Sequence, residues 1–140
     1  MISTYSTIHF IFTEIKELKN RIKLNLSYTI NIDDPIITYQ LKGKITTDDD
    51  YLEIEKEVFN YLNQNYYRIV FDLTELTHTN SSGIGFFMRT LTKSRIMGGE
   101  LVIIGINGNV EKIFSISKLD EIYIICENQM EANNYFKKAQ

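Results

Sequence analysis

The chain holds one cysteine, one proline, seven glycines and two histidines among its 140 residues, and these scarcities close off several kinds of protein. A lone Cys126 cannot form an internal disulfide; set in the apolar run 122–126, it reads as a buried, inert thiol suited to a reducing cytosol. So little glycine and proline leaves no flexible linker, low-complexity tract or repeat to divide the chain. Excess basic charge is also missing: the formal net charge is -3, with Lys and Arg scattered, so no footprint for a nucleic-acid backbone exists. No apolar stretch approaches the roughly 18 residues of a membrane span, and the start lacks the basic region and apolar core of a signal peptide. The expectation is a cytoplasmic protein with neither nucleic-acid nor membrane partners.

What remains is ordinary globular composition, 44% hydrophobic and 24% charged, in a length that suits one domain around one core. Residues 1–25 read as an N-terminal amphipathic extension and residues 26–140 as the domain. In the extension Ile8, Ile11, Phe12, Ile15, Leu18 and Ile22 recur at helical spacing. Docking of that stripe on the domain itself is the favoured account, with homodimerisation or partner contact through the helix as alternatives.

Two short extended runs follow, Leu26 to Ile32 and Ile36 to Leu41, with turn chemistry between them at Asn31 to Pro35, which predicts a β-hairpin. Asp48, Asp49 and Asp50 then offer cap and dipole-matching carboxylates to a helix carrying Ile54, Val58, Tyr61 and Leu62 on one face. Consecutive carboxylates at a helix start diverge, so these three do not read as a metal cluster. Arg68 to Leu73 is β-branched and aromatic with little polar alternation, as in a strand covered on both faces. A helix is expected over Ser82 to Met97 with Ile84, Phe87, Met88 and Leu91 inward, stopped by Gly98-Gly99. Further elements are strands at Leu101 to Ile104 and Ile122 to Cys126, a short helix around Val110, Ile113 and Phe114, and a last helix from Met130 to Lys138. Hairpin, then alternating helix and strand, predicts an α/β fold with a mixed sheet, right-handed crossovers and helices packed against it.

The stretch from Phe71 to Gly85 carries the chemistry: a buried strand, a polar loop from Thr74, then a helix start crowded with hydroxyls. At such a terminus the first backbone N–H groups lack intrahelical partners and the dipole is positive, which suits an added phosphate. The plainer account is that Asn80 or Ser81 caps the helix while Gly83 and Gly85 allow close packing. Ser81 near His78 does not make a hydrolase elbow, which needs Gly-x-Ser-x-Gly and a later His; the other histidine, His9, lies upstream. No enzyme is expected.

Phe71-Asp72-Leu73 followed by Asn80-Ser81-Ser82-Gly83-Ile84-Gly85 resembles the signature of STAS domains of the bacterial anti-sigma-factor antagonist family, in which a strand and loop lead to Asp-Ser-Ser-Gly-Leu-Gly. Gly98 to Ile103, Val110 to Leu119 and Leu41 to Ile45 resemble other parts of the same pattern. The resemblance implies a STAS-type mixed sheet without catalysis or cofactor. It also implies a switch: the unphosphorylated protein binds an anti-sigma factor that is also a serine kinase, and phosphorylation ends the binding. Carried over, the acceptor is Ser81, and the partner-binding surface is Asn80, Ser81, Ser82, Gly83, Ile84 and Gly85. Asn80 stands where Asp is usual and supplies no charge. STAS domains also serve in anion transporters, stress-signalling scaffolds and lipid-transport complexes, so an interaction module without a phosphorylation cycle is the alternative.

Overall fold

A computed structural model describes residues 4–21 and 24–139, and for the first of these segments the side chains of residues 6–15 only. After an N-terminal helix α1 (Thr4–Arg21), the strands β1 (Leu26–Asp33) and β2 (Ile36–Lys44) form an antiparallel hairpin. Helices and strands then alternate: α2 (Asp49–Leu62), β3 (Arg68–His78), α3 (Ser81–Ile96), β4 (Glu100–Ile104), α4 (Gly108–Ile116), a single 3₁₀ turn at Leu119–Glu121, β5 (Ile124–Cys126) and α5 (Gln129–Lys138). The sheet runs β1-β2-β3-β4-β5, antiparallel at the hairpin and parallel thereafter. This is the expected α/β architecture with its extra N-terminal helix.

Strand side chains point alternately to the two faces, and the two faces have different covers. Ile37, Tyr39, Leu41, Ile69, Phe71, Leu73, Leu101 and Ile103 pack with Ile54, Val58 and Leu62 of α2, Phe86, Phe87 and Leu91 of α3, and Val110 and Phe114 of α4. On the opposite face a smaller cluster, Ile36, Val70, Val102 and Ile104, is closed by Ala132 and Phe136 of α5. The remainder of that face exposes Ser27, Thr29, Asn31, Gln40 and Lys42.

Four features depart from the sequence reading. The hairpin turn is only Asp34-Pro35, because pairing continues through Asn31↔Thr38 and Asp33↔Ile36. The expected polar loop from Thr74 is strand: β3 runs on to His78, and the register slips between Gln40/Lys42 and Gly43/Lys44. Gln40 faces Asp72 while Lys42 faces Glu75, so one extra residue in β3 lets both Leu73 and Leu76 stay buried despite their three-residue spacing. In α3 the buried face includes Phe86, Thr90 and Ser94. Each hydroxyl is satisfied one turn back, Thr90 Oγ1 by the Phe86 carbonyl at 2.9 Å and Ser94 Oγ by the Thr90 carbonyl at 2.8 Å, which lets polar side chains enter the core.

The fourth departure is α1. Docking on the domain was expected, yet residues 6–15 are all exposed, with Phe10 at 63% and Phe12 at 68%. Most of the helical face of the sheet is covered by α2, α3 and α4, and the other face presents Ser27, Thr29, Asn31, Gln40 and Lys42 to solvent. Leu18 and Ile22 lie outside the described side chains. Cys126 is half-buried; burial first and the neighbouring Glu131 carboxylate second push its thiol up, away from the reactive thiolate.

Candidate functional site: the N-terminal turn of helix α3

β3 delivers the chain to the turn that starts α3. Asn80 is the cap residue, extended, with its Oδ1 accepting from the Gly83 amide at 3.0 Å. Its other amide atom is also used, since Nδ2 donates to the Thr46 carbonyl at 2.8 Å. An aspartate could make the first bond but not the second, having no proton to donate. The asparagine at this position therefore ties α3 to the loop between β2 and α2.

That loop is built around Asp50. Its carboxylate is buried and accepts from the amides of Asn25 (3.0 Å), Thr46 (2.8 Å) and Thr47 (3.1 Å) and from the Thr46 hydroxyl (3.0 Å). Burial alone would raise its pKa, but these donors together hold it below the ordinary carboxylate range. The three consecutive aspartates, expected to serve the start of α2, thus divide their work. Asp50 organises the loop, Asp49 is exposed, and Asp48, although it is the residue before α2, makes no cap bond through its side chain.

Asp48 reaches α3 instead. The Ser82 hydroxyl donates to the Asp48 carboxylate, and the same oxygen lies 2.8 Å from Tyr51 Oη. With the single Ser82 proton on the carboxylate, Tyr51 is the donor in the second contact. Tyr51 stacks on Phe86 at a centroid distance of 5.0 Å, and Arg89 lies 5.7 Å from the Tyr51 ring centre while pairing with Glu55 at 2.9 Å. Ser82 is therefore a strut between α2 and α3, half-buried, and not a freely offered hydroxyl.

The other expected partner-binding positions are sorted by burial. Ser81 is exposed at the first residue of α3, and its hydroxyl makes no hydrogen bond among the described residues. Gly83 is buried beneath Thr79 and Ile45, and an added Cβ would come within 2.9 Å of Ile45 Cγ2, so glycine is what this packing admits. Ile84 and Gly85 are half-buried, and at Gly85 only the flexible end of Arg89 would meet an added Cβ. His78 is exposed with Nδ1 2.9 Å from Thr77 Oγ1, turned to its neighbour in the strand.

Sequence reasoning missed Thr46, Asp48, Asp50 and Tyr51 as parts of this site. Thirty-four residues separate Ser82 from Asp48, and nothing local links them. One signal was present: α3 has no acidic residue in its first turn, an omission that invites a carboxylate from elsewhere.

A mixed five-stranded sheet with helices on both faces thus carries an exposed hydroxyl at the first turn of α3. The family model for the STAS domain matches residues 27–132, and the chain belongs to that family. Similar curated proteins include the anti-sigma-B factor antagonist of Listeria monocytogenes, 34% identical over 65 residues, which are 45% of this chain and 57% of the relative. The chain thus matches little more than half the length of that relative. Among solved structures, a putative anti-sigma factor antagonist from Thermotoga maritima aligns with a TM-score of 0.69 at 24% identity, covering 77% of this chain and 92% of the other. The Bacillus cell fate determinant SpoIIAA in its phosphorylated form aligns with a TM-score of 0.64 at 15% identity, covering 79% and 99%. These two likenesses are likenesses of fold. Among the described residues no helix is long and apolar enough to cross a membrane.

Proposed function

We propose that this protein is an anti-sigma-factor antagonist-like switch, non-catalytic and cytoplasmic, which binds an anti-sigma factor with serine kinase activity and is released when Ser81 is phosphorylated. One observation carries the reading: Ser81 is an exposed hydroxyl with no hydrogen bond among the described residues, at the first residue of a helix whose first turn holds no acid. A kinase can reach it, and the free amides and positive dipole end of α3 accommodate a phosphate there. Phosphoserine brings about -1.5 to -2 charges to a surface the partner must cover, and burying that charge unpaired is costly. The name of the Listeria relative supports the class of partner.

The switch operates at the interface while the fold survives, because the exposed Ser81 hydroxyl holds no hydrogen bond among the described residues. Affinity for the anti-sigma factor kinase of the same cell is the test. Ser81→Asp is expected to abolish binding and Ser81→Ala to retain it without release by ATP, with melting temperatures close to wild type for both. Unchanged affinity in Ser81→Asp together with normal release of Ser81→Ala would remove Ser81 from the mechanism. A second reading, an interaction module with no phosphorylation cycle, draws on Asn80, whose amide oxygen and nitrogen are both engaged in structure and which provides no charge beside the acceptor. Mass spectrometry of the protein from its own cell, finding position 81 always unmodified, would favour it.

A further inference from the structure

We infer that Asp48 is the residue that sets how readily an anion is accepted at Ser81. The amino end of α3 holds partial positive charge and no acid in its own first turn. Asp48 fills that role from the neighbouring loop, its carboxylate held against the first turn by the Ser82 hydroxyl, which in turn is fixed by Tyr51 of α2. Ser81 and Ser82 are consecutive, with Cα atoms about 3.8 Å apart. An anion on Ser81 therefore shares the first turn of α3 with the Asp48 carboxylate that Ser82 holds there. Two anions then compete for one helix terminus.

Relief comes by loosening the bond between Asp48 and Ser82. That bond is one of the polar links from α3 to α2, beside Ser82–Tyr51 and Arg89–Glu55, so phosphorylation is felt on α2 and on the Tyr51–Arg89–Glu55 surface as well as at position 81 itself. Asp48 is exposed, which places its charge within reach of a partner when the link opens. Asp49, also exposed, provides an internal comparison of the same charge in a different place, since the Ser82 hydroxyl donates to Asp48.

The inference rests on the reading of Ser81 as the modified residue, and the experiment is chosen so that the two can fail separately. Thermal unfolding of the full chain is measured for wild type, Asp48→Asn, Ser81→Asp and the double variant, and the cycle is repeated with Asp49→Asn. In the Asp48→Asn background Ser81→Asp is expected to raise Tm, because the vacated helix terminus accepts the new carboxylate. In wild type it is expected to leave Tm unchanged or lower it slightly, a difference between backgrounds of roughly 3 °C. Little or no such difference is expected with Asp49→Asn. Equal effects of Ser81→Asp in the wild-type and Asp48→Asn backgrounds overturn the inference, as does equal coupling from Asp49→Asn. Kinase-partner affinity is read apart from this: a partner indifferent to position 81 removes the switch while leaving the measured coupling intact.

Discussion

Helices α3 and α5 both begin on an asparagine in extended conformation whose Oδ1 accepts the amide of the third helical residue at 3.0 Å, Gly83 in one and Glu131 in the other. Beyond that bond they diverge. In α5 the circuit closes locally, since the Glu131 carboxylate accepts the Glu127 amide at 2.8 Å and supplies the acid that the dipole favours. In α3 the third residue is glycine, the acid comes from Asp48 across 34 positions of sequence, and the cap's free amide ties down Thr46. One start is complete within five residues, while the other is assembled from a separate loop and leaves its first hydroxyl unoccupied. A helix end that is satisfied from outside can be altered from outside, which is what a modifiable site requires.

The sharpest way to break this comparison is through Asp50. Asp50→Ala strips three backbone amides of their acceptor and frees the loop that Asn80 grips, at an expected cost of about 3 kcal/mol in urea unfolding near neutral pH. The disadvantage should shrink in acid. A carboxylate whose folded-state pKa is depressed stabilises fully above the ordinary carboxylate range and loses that contribution as pH falls through the folded value. The gap between wild type and Asp50→Ala therefore narrows below about pH 4. A gap independent of pH would show that Asp50 acts through shape and not charge.

Next in size is a matched pair. Asn80→Asp keeps the cap but sets a carboxylate against the Thr46 carbonyl, with an expected loss of about 1 kcal/mol, whereas Asn128→Asp keeps its bond from the Glu131 amide and stays within about 0.5 kcal/mol of wild type. Equal changes in the two would erase the distinction between the local and the assembled helix start. Smallest of all is Phe12→Ser on α1. Because Phe12 is exposed, the melting temperature should not move measurably, and a fall of several degrees would mean that α1 is covered in solution.

Much of the architecture was legible in advance because it rests on short-range periodicity. The run Ile69-Val70-Phe71 announced a strand covered on both sides, and Ile54, Val58 and Leu62 announced the inward stripe of α2. Gly98, at φ +88°, stopped α3 where a left-handed residue was needed. Other features were hidden. The burial of Thr90 and Ser94 was not legible, because nothing in their identity shows that the preceding turn will satisfy their hydroxyls. The extension of β3 to His78 was obscured by Thr74 and Glu75, a polar pair that belongs to a register slip visible only once β2 lies alongside.

By itself the sequence determined the order of elements, the mixed sheet and the presence of hydroxyls at the start of α3, since each follows from side-chain periodicity and local capping chemistry. Tertiary structure alone decided which hydroxyl is free: Ser82 is taken by Asp48 and Tyr51, Gly83 is enclosed under Thr79 and Ile45, and Ser81 is left to solvent. The reason is physical. Neighbours on a helix differ by about 100° in direction, so which of two adjacent serines meets the next loop depends on where packing has placed that loop.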